Sequence, residues 1–456
     1  MVIDIVQGTP ASPRLGVVLL FRGPFFKTAK VSMPAIHVEV YGCSANAADA
    51  EIVQGLLLES GYDLTEGPET ADASMVLTCV VKTPTEQKIV KRIRELAESG
   101  RPLIVAGCMP KVLRRAVEEI APTASLLGPD DILRSVEVVE ETLKGNKAVF
   151  VDGKPPERTL LPRKRRSGVV HIAPIASGCL GGCSYCIVKN ARGRLRSFPT
   201  EGIVEDARNA ISEGCKEIWL TAEDTAAYDD GGLRLPELIG RLSDLAGRFY
   251  IRVGMMTPNE AEPILEDLIG AYGSEKVFKF LHVPVQSGSD DVLRRMRRRY
   301  TVDDFLRLTS RFREAFPELN ISTDIICGFP GETEEQFRAS VGLVEKLKPD
   351  VLNISRFWPR PGTEASAMGP QLHGRETKRR SRIMSRVWRG MSVETSLRWV
   401  GWRGEILVDE EGHSCSMVGR NYAYKPVAVR TDKRPGEFVD VEVTKAGAGY
   451  LLGREV

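Results

Sequence analysis

The chain has 456 residues, of which 63 are basic and 61 acidic, so its formal net charge is only +2. This length predicts about two to four domains, and the balanced charge by itself favours neither a nucleic acid nor a membrane as partner. The nine cysteines are an odd number scattered over three regions, which argues against a secreted disulfide framework and favours reduced thiols in a cytoplasmic protein.

Residues 1–32 contain one short apolar run, Gly16–Phe21, without the small-residue cleavage site of a signal peptide. We interpret them as a disordered or spurious extension, with Met33 as a candidate start of translation. No stretch of the sequence approaches the roughly 20 apolar residues that span a bilayer, so we expect no membrane association.

Residues 33–145 alternate between apolar strand patterns and amphipathic helix patterns. Strands are predicted at Ile36–Tyr41, Ser74–Thr78, Pro102–Ala106 and Ser125–Leu127, and helices at Ala45–Ser60 and Thr85–Glu98. Strand–helix units that repeat at intervals of about 30 residues predict an open parallel α/β sheet with helices on its faces.

Three cysteines occupy the same structural place in this amino-terminal domain. Cys43, Cys79 and Cys108 each come just after the predicted carboxyl end of a strand, and in a parallel sheet those ends share the edge where ligands bind. A single free cysteine is often just a small buried apolar side chain, which is the alternative here. Three thiolates at equivalent positions instead suit a [4Fe–4S] cluster with one iron left open. The cysteines without such companions are interpreted as structural: Cys215, Cys327 and Cys415.

A linker at 146–167, rich in proline and basic residues, leads into residues 168–395, where six more strand patterns alternate with helices. The strands are predicted at His171–Ala176, Glu217–Thr221, Tyr250–Gly254, Phe278–Pro284, Ile321–Cys327 and Val351–Ser355. The clearest helices are predicted at Thr200–Glu213, Leu235–Ala246, Asp303–Ala315 and Thr333–Leu347. Six such units predict a partial (β/α)6 barrel of TIM type, with its functional site at the carboxyl ends of the strands.

The most specific motif follows the first strand of this barrel. Cys179, Cys183 and Cys186 lie in a Gly-rich loop with the spacing C-x3-C-x2-C, and no fourth cysteine is nearby. Such a loop can wrap three thiolates round one side of a [4Fe–4S] cluster and leave one iron open for a small molecule. Structural zinc is the competing interpretation, but it normally takes four ligands in paired C-x2-C or Cys/His arrangements, which this loop does not offer.

Other strand ends carry polar groups of the kind that a bound cofactor needs. Glu223 follows the second barrel strand, Arg252 closes the third, and Gln286 and Ser287 follow the fourth. These four are our candidate cofactor-binding residues. Each could also be a turn or helix-capping residue. The neighbouring Ser289, which is followed by two aspartates, has the sequence pattern of a helix cap.

Three basic clusters bracket the barrel. They are Arg163–Arg166 in the linker, then Lys189, Arg192, Arg194 and Arg196 after the cysteine loop, and Arg294, Arg295 and Arg297–Arg299. A charge run is usually only a solvated face. Here the second cluster adjoins the cysteine loop and is accompanied by Tyr185 and Phe198. Positive charge beside a catalytic pocket favours a phosphate-bearing polymer, such as a nucleic acid.

After a basic helical stretch at Thr377–Ser396, residues 396–456 become strand-like. Short strands are predicted at Gly404–Asp409, Ser416–Gly419, Lys425–Val429, Phe438–Lys445 and Gly449–Leu452. Their regular spacing predicts a small β-barrel. Basic and aromatic side chains alternate in one segment, as in proteins that bind single-stranded nucleic acid: Arg420, Tyr422, Tyr424 and Lys425. A simple packing module with surface tyrosines is the alternative.

The barrel motif resembles the signature of radical S-adenosylmethionine enzymes, including an aromatic residue, Tyr185, before the last cysteine. The strand-end segments resemble those around the S-adenosylmethionine pocket of that family, with Glu223 where relatives more often have Gln. In the family, the open iron binds the amino and carboxylate groups of S-adenosylmethionine. One electron from the cluster then cleaves the sulfonium to a 5′-deoxyadenosyl radical.

The rest of the chain resembles the methylthiotransferases within that family. The matching segments are Tyr41-Gly42-Cys43 with Asn46, Asp49 and Glu51, Thr78-Cys79-Val80 with Thr85-Glu86, and Gly107-Cys108-Met109. Leu77 stands where members usually carry Asn. The tail resembles the TRAM domain, an RNA-binding module. The resemblance implies two [4Fe–4S] clusters, one at each cysteine triad. The amino-terminal cluster would hold or donate sulfur, so that a methylthio group replaces the hydrogen of an inert C–H bond.

Among the branches of the family, Gly178–Cys183 and Ala191–Leu195 resemble most the archaeal and eukaryotic one. That branch adds methylthio at C2 of N6-threonylcarbamoyladenosine at position 37 of tRNA. The implied partners are the anticodon loop of tRNA, a reductase or ferredoxin-type electron donor, and a sulfur donor. The alternatives are a methylthiotransferase acting on isopentenyladenosine-37 or on a ribosomal-protein aspartate, and a non-catalytic iron–sulfur RNA-binding sensor.

Overall fold

The computed structural model describes residues 33–81, 83–413 and 415–456, so the expectation for residues 1–32 lies outside the described residues. Pro34–Val456 packs as one compact unit, and the sequence-based domain limits within it stay predictions. Across the described residues, no helix combines the length and the apolar character needed to cross a membrane.

The first sheet is parallel and has six strands. They are β1 (Ala35–Val40), β2 (Asp63–Thr65), β3 (Ala73–Thr78), β4 (Leu103–Gly107), β5 (Ser125–Leu127) and β6 (Val149–Phe150). The helices are α1 (Ser44–Glu59), α2 (Thr83–Glu98), α3 (Cys108–Val112), α4 (Arg114–Ile120) and α5 (Ser135–Leu143), with 3-10 turns at Pro68–Thr70 and Ile132–Arg134. The spatial order β2-β1-β3-β4-β5-β6 confirms the predicted sheet. Edge strands β2 and β6 were not predicted, since strands of 3 and 2 residues are too short to show alternation.

The second region is built from ten strands and ten helices. The strands are β7 (Val170–Pro174), β8 (Ala176–Ser177), β9 (Arg196–Ser197), β10 (Glu217–Thr221), β11 (Asp229–Asp230), β12 (Leu233–Arg234), β13 (Tyr250–Val253), β14 (Phe280–His282), β15 (Asn320–Cys327) and β16 (Val351–Arg356). The helices are α6 (Val188–Arg192), α7 (Thr200–Ser212), α8 (Leu235–Ser243), α9 (Pro258–Ala261), α10 (Leu265–Tyr272), α11 (Asp290–Arg295), α12 (Val302–Ala315), α13 (Glu334–Leu347), α14 (Glu364–Ala367) and α15 (Gly374–Leu397), with 3-10 turns at Thr225–Ala227 and Glu262–Ile264.

Six of these strands form the predicted partial barrel in chain order. Strands β7, β10 and β13 pair in parallel, as do β14, β15 and β16. The two halves meet where Ile251 pairs with Val277 and the Phe278 N–H donates to the carbonyl oxygen of Ile251 at 3.0 Å. In β10, Ile218 and Leu220 are fully buried in the main core cluster, so their apolar face packs under the helices.

The last region is a closed five-stranded barrel, as predicted. Its strands are β17 (Arg403–Glu411), β18 (Met417–Arg420), β19 (Pro426–Val429), β20 (Phe438–Ala446) and β21 (Leu451–Glu455). They close in the order β17-β18-β19-β21-β20, around a core that includes Val427, Val441 and Leu451.

One turn of this small barrel docks on the amino ends of the larger barrel's strands. The Lys279 N–H donates to the carbonyl oxygen of Tyr422 at 2.8 Å, and Asn320 Nδ2 donates to the carbonyl oxygen of Ala423 at 2.7 Å. Lys425 Nζ lies 3.5 Å from the carboxylate of Asp350, and both side chains are almost fully buried.

The aromatic ring of this turn is also occupied within the chain. Tyr424 lies 4.9 Å and 5.1 Å from the ring centroids of Phe278 and Phe280, and Arg252 stacks over it at 5.1 Å. Arg420 pairs with Asp409 at 2.8 Å. The interpretation of Arg420, Tyr424 and Lys425 as an RNA-stacking surface is therefore wrong, because Tyr424 and Lys425 join the two barrels and Arg420 is paired within the small barrel.

Replacing Tyr424 with alanine is expected to weaken this joint by about 3 kcal/mol, because it removes a large, mostly buried ring. Calorimetry should show a lower unfolding temperature for Tyr424→Ala, and limited proteolysis should cut earlier near the junction. The control is Tyr450→Ala, because Tyr450 is 49% exposed and this variant should unfold like the wild type. Equal unfolding temperatures for Tyr424→Ala and the wild type would contradict the assignment of this turn as the joint.

Candidate metal and cofactor site

The amino-terminal cysteines lie at the ends of three neighbouring strands. Cys43 precedes α1 after β1, Cys79 follows β3, and Cys108 begins α3 after β4. Gly42 has a φ of +125°, and a Cβ on it would lie 2.6 Å from the Cβ of Cys79, so only glycine lets the two segments pass this closely. Burial raises the pKa of Cys108 to about 11, and the nearby thiols of Cys43 and Cys79 add to the rise.

Asn46 connects the loops that carry these thiols. Its Nδ2 donates to the carbonyl oxygens of Tyr41 at 2.9 Å and Thr78 at 2.7 Å, and its Oδ1 lies 3.8 Å from Cys108 Sγ. The Thr78 hydroxyl in turn donates to the carbonyl oxygen of Ala106 at 2.6 Å. One buried amide therefore holds the ends of β1, β3 and β4 in a fixed arrangement.

A buried charge network joins this site to the barrel. Asp49 accepts from Arg158 Nε at 2.7 Å and lies 2.7 Å from an Arg192 amino group, which also donates to Asn46 Oδ1 at 2.9 Å. Burial raises the pKa of Asp49, but the charges of Arg158 and Arg192 outweigh burial and hold the pKa below its ordinary value. Arg158 follows the first sheet and Arg192 ends α6, so one carboxylate ties three segments together.

The barrel cysteines lie in a loop whose sulfurs receive donors from the chain. The Cys179 N–H donates to the carbonyl oxygen of Gly193 at 3.2 Å, which pins the start of the loop. The Gly181 N–H donates to Cys179 Sγ, and Arg298 donates to Cys183 Sγ, both at 3.2 Å. Donors and positive charge around the sulfurs stabilise the negative charge of a thiolate-bound cluster.

The thiols suit a cluster better than a single ion or a nucleophile. Among the described residues, no three His, Cys, Asp or Glu side chains converge closely enough to hold one metal ion. A zinc ion would need its sulfurs about 2.3 Å from one point, whereas a four-iron cluster binds each thiolate at a different iron and spreads them apart. Burial raises the pKa of Cys179 to about 11, while a cysteine nucleophile needs a lowered pKa.

The segments around the two cysteine groups pack against each other. Ile187 and Ala191, which follow the barrel loop, pack in the same apolar cluster as Cys79 and Cys108. A small cavity at this junction is lined by residues from both sides: Ala45, Asp49, Arg158, Pro174, Ala176, Ser177, Arg192, Thr221 and Glu223. The Glu223 Oε2 and Ser177 Oγ atoms are buried and lack a hydrogen-bond partner within the described part of the chain. Buried polar atoms left in this state are what a bound polar cofactor would satisfy.

The four candidate cofactor residues have different surroundings in the structure. Burial raises the pKa of Glu223, and the nearby positive charge of Arg192 offsets part of this rise. Gln286 has a φ of +73° and pairs with Ile325 through its backbone at the carboxyl end of β14. No result tests their contact with a cofactor, so both assignments stay predictions.

The other two candidates are engaged elsewhere. The buried Ser287 hydroxyl accepts from the Ser289 N–H at 3.2 Å and lies 3.4 Å from Ser340 Oγ of α13. Ser289 stands at the N-cap of α11, but its side chain makes no capping bond. The Arg252 guanidinium stacks between Trp219, at 5.0 Å, and the rings already described. Their role as cofactor ligands also stays a prediction.

Three members of the basic clusters are not available to bind phosphate, as the sequence interpretation requires. The Arg163 side chain is 2% exposed and pairs with Asp206 at 3.1 Å. Arg192 is buried against Asp49, and Arg298 faces Cys183. The interpretation is wrong for these members, because each has a partner inside the protein.

Sequence reasoning noted Asn46 and Asp49 only as part of the family resemblance, and it missed the structural roles of Asp49, Arg158 and Arg298. Asn46 and Asp49 are three residues apart, which places them on one face of α1, and that spacing could have indicated a shared site. Arg298 has no such signal, because nothing distinguishes it from its basic neighbours in the sequence.

Three family models match the chain. Residues 35–128 match "Uncharacterized protein family UPF0004", residues 174–344 match "Radical SAM superfamily" and residues 398–456 match "TRAM domain". The radical S-adenosylmethionine match implies S-adenosylmethionine and a [4Fe–4S] cluster, which the donor set of Cys179, Cys183 and Cys186 fits. The radical S-adenosylmethionine methyltransferase TsrM from Kitasatospora setae has the same fold, with a TM-score of 0.54 at 16% identity over 73% of this chain and 77% of that one.

Full-length relatives are more similar. A "Probable threonylcarbamoyladenosine tRNA methylthiotransferase" from Pyrococcus horikoshii is 44% identical over 425 residues, which cover 92% of this chain and 99% of that relative. The human threonylcarbamoyladenosine tRNA methylthiotransferase is 37% identical over 92% of this chain and 74% of its own length. With this similarity along nearly its whole length, the chain belongs to the radical S-adenosylmethionine methylthiotransferases, in the threonylcarbamoyladenosine tRNA branch.

Proposed function

We propose that this chain converts N6-threonylcarbamoyladenosine at position 37 of tRNA into its 2-methylthio derivative. The observation that carries the proposal is the contact between the segments around the two cysteine triads, where Ile187 and Ala191, just after the barrel loop, pack in the same apolar cluster as Cys79 and Cys108. Relatives from archaea and vertebrates carry this activity in their names, and the match to a TRAM domain supports an RNA substrate.

The cofactor set we propose is two [4Fe–4S] clusters with S-adenosylmethionine. When bound, the cluster at Cys179, Cys183 and Cys186 would supply the electron that cleaves S-adenosylmethionine. A second cluster at Cys43, Cys79 and Cys108 would hold or donate the sulfur that is transferred.

The chain's own residues position and shield these groups. Arg298 and the Gly181 N–H hold the sulfurs of the barrel loop, and Asn46 holds the strand ends of the amino-terminal triad. Arg192 places a positive charge beside Cys108, and its ion pair with Asp49 holds α6 against α1. Cys79 and Cys108 are buried, so water is kept from this part of the amino-terminal triad.

The remaining partners follow from the chemistry. A radical enzyme of this type needs one electron for each cleavage, so we propose a reductase or ferredoxin-type donor, and a separate sulfur donor replaces the sulfur that is consumed. A cytoplasmic location, expected from the reduced thiols, stays a prediction.

The proposal predicts a specific modified nucleoside. Anaerobically reconstituted protein, given reductant, S-adenosylmethionine and tRNA bearing threonylcarbamoyladenosine, should yield 5′-deoxyadenosine and a methylthio nucleoside by mass spectrometry. The same tRNA without the threonylcarbamoyl group is the control and should give no methylthio product.

Three other results would overturn the proposal. Product only with isopentenyladenosine tRNA would assign the chain to that activity, and product only on a ribosomal-protein aspartate would assign it to protein modification. Protein that contains iron but cleaves no S-adenosylmethionine would be a non-catalytic RNA-binding sensor.

A further inference from the structure

Helix α15 carries a line of positive charge that none of the roles above uses. Five basic side chains on it are exposed to solvent: Arg375, Lys378, Arg382, Arg386 and Arg389. Among the described residues, none of the five makes an ion pair. We call these five residues the basic stripe.

The five side chains share one face of the helix. Their spacing of three, four, four and three residues places them within an arc of about 80° at 3.6 residues per turn. The opposite face is buried in the barrel through Thr377 and Met384. The stripe therefore points away from the protein along about 21 Å, at 1.5 Å per residue.

The exposed cations differ from their neighbours on the same helix. Arg379 pairs with Glu376 and Glu334, and Arg380 is buried against Glu332 at 2.7 Å. Those arginines are neutralised within the chain, whereas the basic stripe is not. Unpaired like charges at adjacent turns repel each other, so a partner that supplies negative charge at matching intervals would relieve that repulsion.

The position of α15 links the rim of the barrel to the small carboxyl-terminal barrel. Near its start, Thr377 packs against Gly328, which follows the carboxyl end of β15, where the functional site of such a barrel lies. Towards its end, Trp388 Nε1 donates to the carbonyl oxygen of Pro349 at 3.1 Å, next to the amino end of β16. Just after the helix, Arg398 lies 3.1 Å from Asp350, beside the docked turn.

We propose that the basic stripe binds the phosphate backbone of the RNA substrate and leads it from the small barrel to the rim of the site. This inference rests on the proposed function for the identity of the RNA, but not for the binding itself. A regular row of cations about 4.5 to 6 Å apart suits a polymer with evenly spaced negative charges. The binding is independent of sequence, because phosphate contacts position a nucleic acid and do not read its bases.

The test is the salt dependence of RNA binding. The variant Lys378→Gln/Arg382→Gln/Arg386→Gln and the wild type are titrated with an unmodified tRNA transcript, without S-adenosylmethionine or reductant, from 0.05 to 0.5 M salt. Each lost contact should reduce the slope of log Kd against log salt by about 0.7 to 0.9, so the triple variant should lose about 2 to 3 units. Its Kd should rise roughly 10- to 100-fold at 0.1 M salt.

Two further variants separate charge location from total charge. Arg115→Gln/Lys144→Gln/Arg208→Gln removes three equally exposed cations that each already pair with a nearby glutamate, and it should bind RNA as the wild type does. Lys378→Arg/Arg382→Lys/Arg386→Lys keeps all three charges and should also bind normally. The three exposed glutamines should leave the unfolding temperature unchanged, so a loss of binding would not reflect misfolding.

Each remaining outcome contradicts the inference. An unchanged slope and Kd for the glutamine variant, or no transcript binding by the wild type, would exclude the stripe as an RNA surface. Normal RNA binding with slow reduction by an electron-transfer protein, and a normal rate with dithionite, would instead make the stripe a docking site for an acidic protein. Failure of the nucleoside experiment together with a reduced slope would reject the proposed modification and leave the RNA surface standing.

Discussion

The variant Cys43→Ala/Cys79→Ala/Cys108→Ala is expected to lose all methylthio transfer while it still cleaves S-adenosylmethionine. Two [4Fe–4S] clusters correspond to about eight irons per chain, and removal of one triad should leave about four. The barrel loop contains none of the three replaced residues, and its sulfurs keep their own donors, Gly181 and Arg298. Iron analysis of anaerobic protein and the yield of 5′-deoxyadenosine measure the two parts of this prediction.

The remaining cysteines provide a matched control. Cys215→Ala/Cys327→Ala/Cys415→Ala also removes three thiols, but two of these are buried singly and one is exposed, so both iron and activity should be kept. The variant with alanine at Cys179, Cys183 and Cys186 should lose cleavage of S-adenosylmethionine. Full iron content in the variant lacking Cys43, Cys79 and Cys108 would refute a cluster at the amino-terminal triad.

Replacing Asp49 with asparagine is expected to destabilise the protein by about 3 to 5 kcal/mol, the usual cost of removing one partner from a buried ion pair. The carboxylate lies between Arg158 and Arg192, whose side chains are 1% and 3% exposed. In the variant, two buried guanidinium groups lose their counter-charge, and α6 keeps only the hydrogen bond from Arg192 to Asn46 as its polar tie to α1. Thermal unfolding at pH 7 measures the loss of stability.

The acid dependence of this effect follows from the lowered pKa of Asp49. The ionised carboxylate stabilises the fold at any pH above its ordinary pKa of 3.8. This contribution is lost only as the pH falls through the still lower pKa of the folded state. The stability difference between wild type and Asp49→Asn should therefore be constant from about pH 5 to 8 and shrink in stronger acid.

Two further variants check the assignment of the Asp49 effect. Glu137→Gln breaks an exposed ion pair with Arg134 and should leave the unfolding temperature unchanged. The cost of Asp49→Asn should be less than additive with that of Arg158→Met, because both remove the same interaction. Additive costs, or a pH-independent difference down to pH 2, would show that Asp49 does not act through the charge network.

The regular elements could be predicted because their patterns are local. Strand β10 was predicted with the bounds that the structure has, Glu217–Thr221, since its apolar run Ile218–Leu220 and the polar residues that bound it lie within five residues. The six-strand order of the barrel followed from chain order, as consecutive strand–helix units usually lie side by side. The shortest strands, such as β2 and β6, were missed because they form only by pairing with residues that are distant in the sequence.

The charged residues were predicted less well than the apolar ones. The turn around Tyr424 has the composition of a nucleic-acid surface, yet it is buried at the joint between the barrels. Arg192 and Arg382 look alike in the sequence, but one is buried beside Cys108 and the other is exposed on α15. Local composition cannot distinguish them, because the burial of a long basic side chain depends on which partner the fold brings to it.

The sequence by itself determined the chemistry of this protein: three sulfurs within eight residues at Cys179–Cys186, and three more at equivalent strand ends. Those spacings act over short distances or through the regular geometry of a parallel sheet, so they are visible before folding is known. Only the tertiary structure decided how the two sulfur groups are held together. Arg192 reaches Asn46 from 146 residues away along the chain, and contacts over such distances arise from the packing of whole domains.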